Sequence, residues 1–414
     1  MARIAIHYHT DPAARLASGI DSFIRGVLRH APEDLQYTLL GATTDACARP
    51  PGKICEVEVA GRGTRFLPLI DIDSEGRRQA LPHTVRYMAA LARHAMAGGL
   101  KSYDILDFHR IEPLLLFGRD RRPKNLTLHQ DMVVIRDPRS DILWRHLPGV
   151  YEALESRLIR RADRVFCVRR SAVQRYREKT PAQAARFAFM PTWFDSSRFG
   201  PGTLEQRGSA RHTLRECFGW PADARVLIFV GRLDRQKDPL LLLQAVLPLL
   251  AEAPDLHLLM IGDGGLRERV EAEVARSGLA HRIALPGARH GDEIARLLKG
   301  ADLFVMSSAY EGMPIAVLEA LASGVPVAST PVGEVPTLIQ PGINGRLAAA
   351  VSARALRDAV AAALADHGHP GPAEIAATVQ AYRPEAVLAA LYDNHRRQAA
   401  GLTTAAARGS PTWA

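Results

Sequence analysis

Two carboxylates stand close together in the stretch "SAYEGMPIAVLEALASGVPVAS", residues 308–329. Glu311 and Glu319 are separated by seven residues, and Glu319 lies inside the otherwise apolar run 315–322. Pro314 suits the N1 position of a helix, and Gly324 would stop that helix after Ser323. The first-turn amides, around Met313–Ala316, would point at whatever sits before the helix, an anion site by geometry and dipole. Ile315, Val317, Leu318 and Leu321 flank Glu319, and a helix apolar all round is a buried one. A buried carboxylate must be paired, hydrogen-bonded or neutral. The vicinal hydroxyls of a ribose would satisfy it, and so would an internal salt bridge. Glu311, in the loop before the helix, would suit the hydroxyls of a sugar.

Upstream, "GRLDRQKD" (231–238) follows a β-branched run directly. Gly231 lets the chain leave the strand close to a ligand. Arg232 and Lys237 put two cations on one loop, a guanidinium that forks two phosphate oxygens and an ammonium that adds a point charge. "IGDGGLR" (261–267) is a second strand-end turn, where Gly262, Gly264 and Gly265 permit close backbone approach. Cations, an amide-rich helix start and hydroxyl-binding acids together describe a site for a nucleoside diphosphate sugar.

These residues need strands that end beside one another. "RVLIFVG" (225–231), "LHLLMIGDG" (256–264), "RIALPG" (282–287), "DLFVMSS" (302–308) and "VPVAST" (325–330) read as strands. The segments 239–253, 265–278 and 292–301 between them read as helices. Such alternation means βαβ units and a parallel sheet, with ligands bound beyond the carboxyl ends of the strands. The first half repeats the theme: strands at 3–8, "YTLLGA", "YDILDFH", "NLTLHQ" and "RVFCV", with helices at 19–31, 79–97 and 149–160. The fold class expected is therefore α/β, two doubly wound Rossmann-like domains facing across a cleft. Residues 195–224 are polar and Gly/Pro-bearing and read as the boundary, giving domains 1–197 and 198–383, with the hinge near 191–200. A last helix, 384–399, would pack back on the first domain, and 400–414 would be a disordered tail.

Composition bounds the rest. The chain has 414 residues, 47% hydrophobic and 23% charged, which allows two or three globular domains. Four scattered cysteines without a CxxC pair point to a reducing cytosol rather than a disulfide or zinc framework. No run approaches the roughly 18 apolar residues of a membrane span, and the N-terminus has no signal-peptide core. The net charge of +9 is lopsided: residues 1–200 hold 32 Lys and Arg against 22 Asp and Glu, the remainder 21 against 22. The excess in the first half would suit an anionic partner, whether nucleic acid, membrane face or ligand, or would simply be solvated helix faces of an Arg-rich chain. The helix around 151–166 would lie on an anionic membrane surface with Leu154, Leu158 and Ile159 inward, or pack on its own sheet. With 6% aromatics and no stacking platform, nucleic acid is not expected.

The pattern E-G-M-P-x4-E at 311–319, with "GRLDRQK" upstream and A-x-G-x-P-V downstream, resembles the family-4 retaining glycosyltransferases of GT-B architecture, known for their EX7E motif. The likeness spans nearly the whole chain: "RIAIHYHT…SGIDSFIRGVL", "NLTLHQD", "ADRVFCVRRS" and "PGINGRL" all resemble family segments. It implies that Arg232 and Lys237 hold the donor diphosphate, that Glu319 binds the ribose, and that Glu311 contacts the transferred sugar. It further implies that Gly312, Met313, Pro314 and Ile315 line sugar and phosphates with backbone, and that Gly19 lets the first loop approach the phosphates. His129 would face the reacting sugar from the other domain. Two places depart from the family: "PTWFD" (191–195) has Thr192 and Trp193 for Asn-Gly, and "VGEVPT" (332–337) has Glu334 for a glycine and Thr337 for an acid.

The function expected is retaining transfer of a hexosyl group from a UDP- or GDP-sugar to a saccharide or polyprenyl-linked acceptor. The setting would be bacterial surface-polysaccharide or glycolipid synthesis, in the cytoplasm or at the inner face of the membrane, with neither metal nor other cofactor. A GT-B sugar-nucleotide epimerase is the alternative. A glycosidase could use the two acids, but would leave the Arg–Lys loop unexplained.

Overall fold

The computed structural model describes residues 1–14, 19–59, 61–72, 82–129, 148–366 and 370–408. The chain forms two units. Of the described residues, those up to 129, 148–191 and 385–408 belong to the first and 192–384 to the second.

The first unit is built on an eight-stranded sheet. Its strands are β1 (Ala2–His7), β2 (Leu35–Thr43), β3 (Cys55–Val59), β4 (Arg62–Asp71), β5 (Ile105–Phe108), β6 (Lys124–Leu128), β7 (Arg164–Cys167) and β8 (Phe187–Phe189). They lie in the order β3-β4-β2-β1-β5-β6-β7-β8. All pair in parallel except β3 with β4. That order reverses at β1, so the carboxyl ends of β1 and β5 mark the switch point at which such sheets bind ligands. Those ends carry His7 and Phe108, which are register partners. Fully apolar central runs such as Ile4–Ile6, buried on both faces, explain why these strands read clearly in sequence.

Gly19 is the first residue of the helix Gly19–Arg29 rather than a residue of the loop before it. The helical pattern at 79–97 is the helix His83–Met96, and that at 149–160 the helix Pro148–Ile159. Leu158 and Ile159 are buried in the unit's own core. Buried side chains cannot face a membrane, so of the two arrangements considered for this helix these two residues fit packing within the protein. Among the described residues no helix is long and apolar enough to cross a membrane.

The C-terminal helix, Pro384–Arg408, belongs to the first unit. Tyr392 donates to the Val27 carbonyl at 2.9 Å, and Asn394 to Oδ1 of Asn125 at 3.1 Å. The helix passes residue 399, so the expected disordered tail from 400 onward is corrected as far as Arg408. A lone Gly401 costs only about 1 kcal/mol, which the alanines around it tolerate.

The second unit carries a six-stranded parallel sheet in the order β11-β10-β9-β12-β13-β14. These strands are β9 (Arg225–Val230), β10 (Leu256–Ile261), β11 (Ile283–Gly287), β12 (Leu303–Met306), β13 (Val327–Ser329) and β14 (Gly345–Leu347). One face packs on the Leu-rich helix Pro239–Glu252. There Leu242, Leu243, Val246 and Leu250 meet Leu227, Leu258, Met260 and Val305 of the strands, and Leu356 and Val360 of the helix Ala353–Ala365. Within the stretch 195–224, read in sequence as a boundary loop, lies a helix, Leu204–Phe218. Its start is a capping box of Thr203 and Gln206 and its end a left-handed Gly219. Its polar surface hides the helical period, since Leu214 and Arg215 are its buried residues. Arg215 is satisfied inside the protein by the Gly300 carbonyl and by Asp302.

Candidate functional site

Strands β9 and β12 are neighbours, so the loops that leave their carboxyl ends meet. The Ala309 amide donates to the Gln236 carbonyl at 2.8 Å, and Ser307 Oγ to the Lys237 carbonyl at 2.8 Å. Asp234 Oδ1 accepts from the Lys237 amide at 2.9 Å. Asp238 then turns the chain with φ +45°, the positive-φ position outside glycine among the described residues, and caps the next helix through Leu241 N–H. A non-glycine residue in that region is uncommon and is held here by its capping bond. Lys237 is thus fixed at both its amide and its carbonyl.

The Lys237 ammonium points back at the second loop. It lies 2.6 Å from Oε1 of Glu311, which also accepts from Ser308 Oγ at 2.8 Å, while Gln236 Nε2 reaches Oε2 at 3.4 Å. Glu311 is buried, and this set satisfies it. The internal salt bridge considered for Glu319 is found at Glu311 instead. Arg232 is exposed, and its guanidinium is held by Asp234 at 3.0 Å and by Gln236 Oε1 at 3.2 Å.

Glu319 is different. It sits in the helix Ile315–Ala322, half-buried among buried Val317, Leu318, Ala320 and Leu321. Among the described residues no hydrogen bond or ion pair reaches its carboxylate. Burial pushes its carboxyl up to about 7, with the Asp195 carboxylate adding to the rise and Arg198 and Lys237 opposing it. Pro314 is the N-cap of this helix, one residue ahead of the N1 position expected. The backbone N–H groups of Gly312 and Met313 engage no partner among the described residues, and those of Ile315 and Ala316 begin the helix, where no intrahelical acceptor exists. These amides, the Lys237–Glu311 pair and the open Glu319 carboxylate form one patch on the second unit.

The departures from the family pattern fall on this patch. Thr192 Oγ1 donates to the Met313 carbonyl at 3.2 Å, and the Glu334 amide donates to the Gly312 carbonyl at 2.9 Å. Gly333 has φ +60°, and a Cβ there would meet the Gly312 carbonyl oxygen at 2.3 Å, so the 332–337 loop lies against the 311–314 loop. Ser308 and Gln236, which complete the shell of Glu311, were not singled out in sequence. Both stood inside the quoted motifs, but neither type announces a partner 3 or 75 residues away.

Two glycines of the second turn, Gly262 and Gly264, lie against the loop after β9. Gly262 has φ +143°, and a Cβ there would stand 1.8 Å from the Gly231 carbonyl oxygen. The close backbone approach expected at Gly231 and Gly262 is therefore an approach of one loop to the other.

In the first unit, His129 follows β6 and is half-buried. Its Nε2 lies 2.9 Å from Nδ1 of His109, and Phe23 stands edge-on to its ring with centroids 4.9 Å apart. Burial lowers its imidazole to about 3, so it is neutral. Among the described residues no group of three or more His, Cys, Asp or Glu could hold a metal ion.

Residues 224–366 match the family model for glycosyl transferases group 1. A D-inositol 3-phosphate glycosyltransferase of Corynebacterium urealyticum is 27% identical over 394 residues, covering 88% of each chain. Among solved structures, a sucrose-phosphate synthase from Thermosynechococcus elongatus superposes with a TM-score of 0.74 at 21% identity, over 97% of this chain and 100% of that one. Anabaena HepE, solved in complex with UDP-glucose, superposes with a TM-score of 0.67 at 17% identity, over 98% of this chain and all of that one. The two solved structures share the fold. The chain has the GT-B fold, and its residues 224–366, which carry most of the second sheet and its patch, are similar to the glycosyl transferases group 1.

Proposed function

We propose that the protein transfers a hexosyl group, with retention, from a nucleoside diphosphate sugar to a saccharide or lipid-linked acceptor. The observation that carries this reading is the Glu319 carboxylate, half-buried in an apolar helix beside the Lys237–Glu311 pair and without a hydrogen-bond partner among the described residues. A desolvated carboxylate is costly unless something hydrogen-bonds it, and a ribose diol supplies two donors. HepE, of the same fold, is solved with UDP and with UDP-glucose, which supports a uridine diphosphate donor. The inositol-phosphate relative supports a polar hydroxylated acceptor.

Negative charge grows on the leaving diphosphate as the glycosidic bond breaks. Lys237, Arg232 and the amides of Gly312, Met313, Ile315 and Ala316 are the groups proposed to stabilise it, being fixed before reaction begins. Glu311 holds the Lys237 ammonium in place and is itself offered to hydroxyls of the transferred sugar; His129 is assigned to the same sugar. The leaving phosphate serves as base for the acceptor hydroxyl, so retention needs no protein nucleophile, only orientation of the acceptor. No protein-bound metal takes part in this scheme. The basic first half is proposed to attract an anionic acceptor or an anionic membrane surface.

The test is turnover. Wild-type protein given UDP-, GDP- and ADP-sugars with candidate acceptors should release a nucleoside diphosphate and form an α- or β-linked product of the donor's own configuration. Inversion of configuration overturns retention, and conversion of donor alone to an isomeric sugar nucleotide overturns transfer.

A further inference from the structure

His109 follows β5 and His129 follows the neighbouring parallel strand β6, so both rings leave the same edge of the first unit's sheet. Nδ1 of His109 is 2.9 Å from Nε2 of His129. The rings are 19° from coplanar with centroids 5.2 Å apart, which is an edge-to-edge hydrogen bond rather than a face-to-face stack. Phe23 stands edge-on to both, at 5.6 Å from His109 and 4.9 Å from His129.

One proton lies in such a bond, and each neutral imidazole carries one proton in all. Both rings are neutral: burial holds His109 well below the usual imidazole range, with His129, His395 and His7 adding to the effect, and burial takes His129 to about 3. Two arrangements follow. If His129 donates from Nε2, His109 must carry its own proton on Nε2. That atom is buried and has no hydrogen-bond partner among the described residues, so a donor would be orphaned. If His109 donates from Nδ1, only a lone pair is left bare at its Nε2. Orphaned buried N–H groups are the rarer case and cost the full desolvation of a donor. The second arrangement wins, and it forces the proton of His129 onto Nδ1. That nitrogen belongs to a half-buried ring and has no partner among the described residues.

We propose that His109 is a positioning residue that fixes His129 as an Nδ1–H donor. His129 then offers a hydrogen bond to an oxygen of its ligand and cannot act there as a base. The catalytic consequence rests on the assignment of His129 to the transferred sugar; the tautomer does not.

Imidazole 15N NMR of histidine-labelled protein, with the His129 signals identified by their loss in His129→Gln, tests this directly. In the wild type, Nδ1 of His129 should bear the proton. His109→Asn places an amide N–H where Nδ1–H was and should keep that tautomer. His109→Leu removes the donor and should move His129 toward the Nε2–H form, with kcat falling roughly tenfold, recovered by the Asn variant and with donor KM little changed. A wild-type proton on Nε2, or an unchanged tautomer in folded His109→Leu, overturns the proposal. A tautomer change with unaltered kcat upholds it and overturns instead the assignment of His129 to the sugar.

Discussion

The Lys237 ammonium stands 2.6 Å from Oε1 of Glu311, joining the loop after β9 to the loop after β12. The motif reading gave these two groups separate tasks, a diphosphate for one and a sugar for the other. Each is instead the other's counter-ion, with side chains 18% and 7% exposed. Removing one partner of such a pair leaves a charge that the other no longer balances. Lys237→Met should therefore lower stability by roughly 3 kcal/mol and turnover by at least a hundredfold. Lys237→Met/Glu311→Gln should recover part of the stability and lose little further activity, because residues that act as a unit are non-additive. Urea midpoints and kcat/KM for the four proteins of this cycle check it; strictly additive losses would show two independent groups.

Glu319 ties nucleotide affinity to pH. Its carboxyl is pushed up to about 7, so below that pH the free protein holds it protonated. Ribose hydroxyls donate to the ionised form, so binding should release a proton below pH 7 and affinity should weaken as pH falls from 8 to 6. Calorimetry of UDP binding in two buffers of different ionisation enthalpy measures that release. Glu319→Gln should abolish the part of it that the nucleotide's own phosphate does not account for; an identical proton count in the variant would contradict the assignment.

The two units should respond to acid differently. In the first, burial lowers His7, His129 and His395 to about 3 and His9 to about 4, and holds His109 well below its usual range. A depressed histidine contributes stability that is present above its unfolded value of 6.5 and lost as pH falls toward the folded value. For fully buried His7 that is roughly 2 kcal/mol at pH 5. Asp107, raised to about 7 by burial, has the opposite sign: its stability is present below 3.8 and lost as pH rises through 7, so it offsets about one histidine on acidification. Glu319 shares that sign in the second unit. Hydrogen-exchange protection of β1, β5 and β6 should drop between pH 7.5 and 5.5 while that of β9, β10 and β12 holds. Equal loss in both units would contradict this balance.

Gly262 and Gly265 lie three residues apart with opposite tolerances. A Cβ at Gly262 meets the Gly231 carbonyl oxygen at 1.8 Å on a φ of +143°, whereas one at Gly265 meets nothing within 4 Å. Gly262→Ala should cost several kcal/mol and Gly265→Ala less than about 0.5, measured as thermal midpoints. Similar midpoints for the two variants would mean the loops are not packed as described.

Much of this was legible in the sequence, and the reasons it was differ from place to place. Strands buried on both faces, such as 226–229 and 256–261, announce themselves as continuous apolar runs, and the acids, cations and glycines of the patch sit at the ends of those runs. The helix Leu204–Phe218 was hidden because its exposed polar surface outweighs two buried positions, although Thr203 and Gln206 carried its capping signal. The partner of Glu311 could not be read, because Lys237, 74 residues away in sequence, reaches it only through the adjacency of β9 and β12. The pairing of His109 with His129 has the same origin: only the β5–β6 register brings the two strand ends side by side.

The central claim is that Glu319 is kept for the ribose of a nucleoside diphosphate. Its most direct measurement is equilibrium binding of UDP, GDP and ADP to the wild type and to Glu319→Ala at pH 7.5. One of the three should bind the wild type, and the variant, equally well folded, should bind it at least tenfold more weakly. No binding of any of them, or equal affinity in wild type and variant, would contradict the claim.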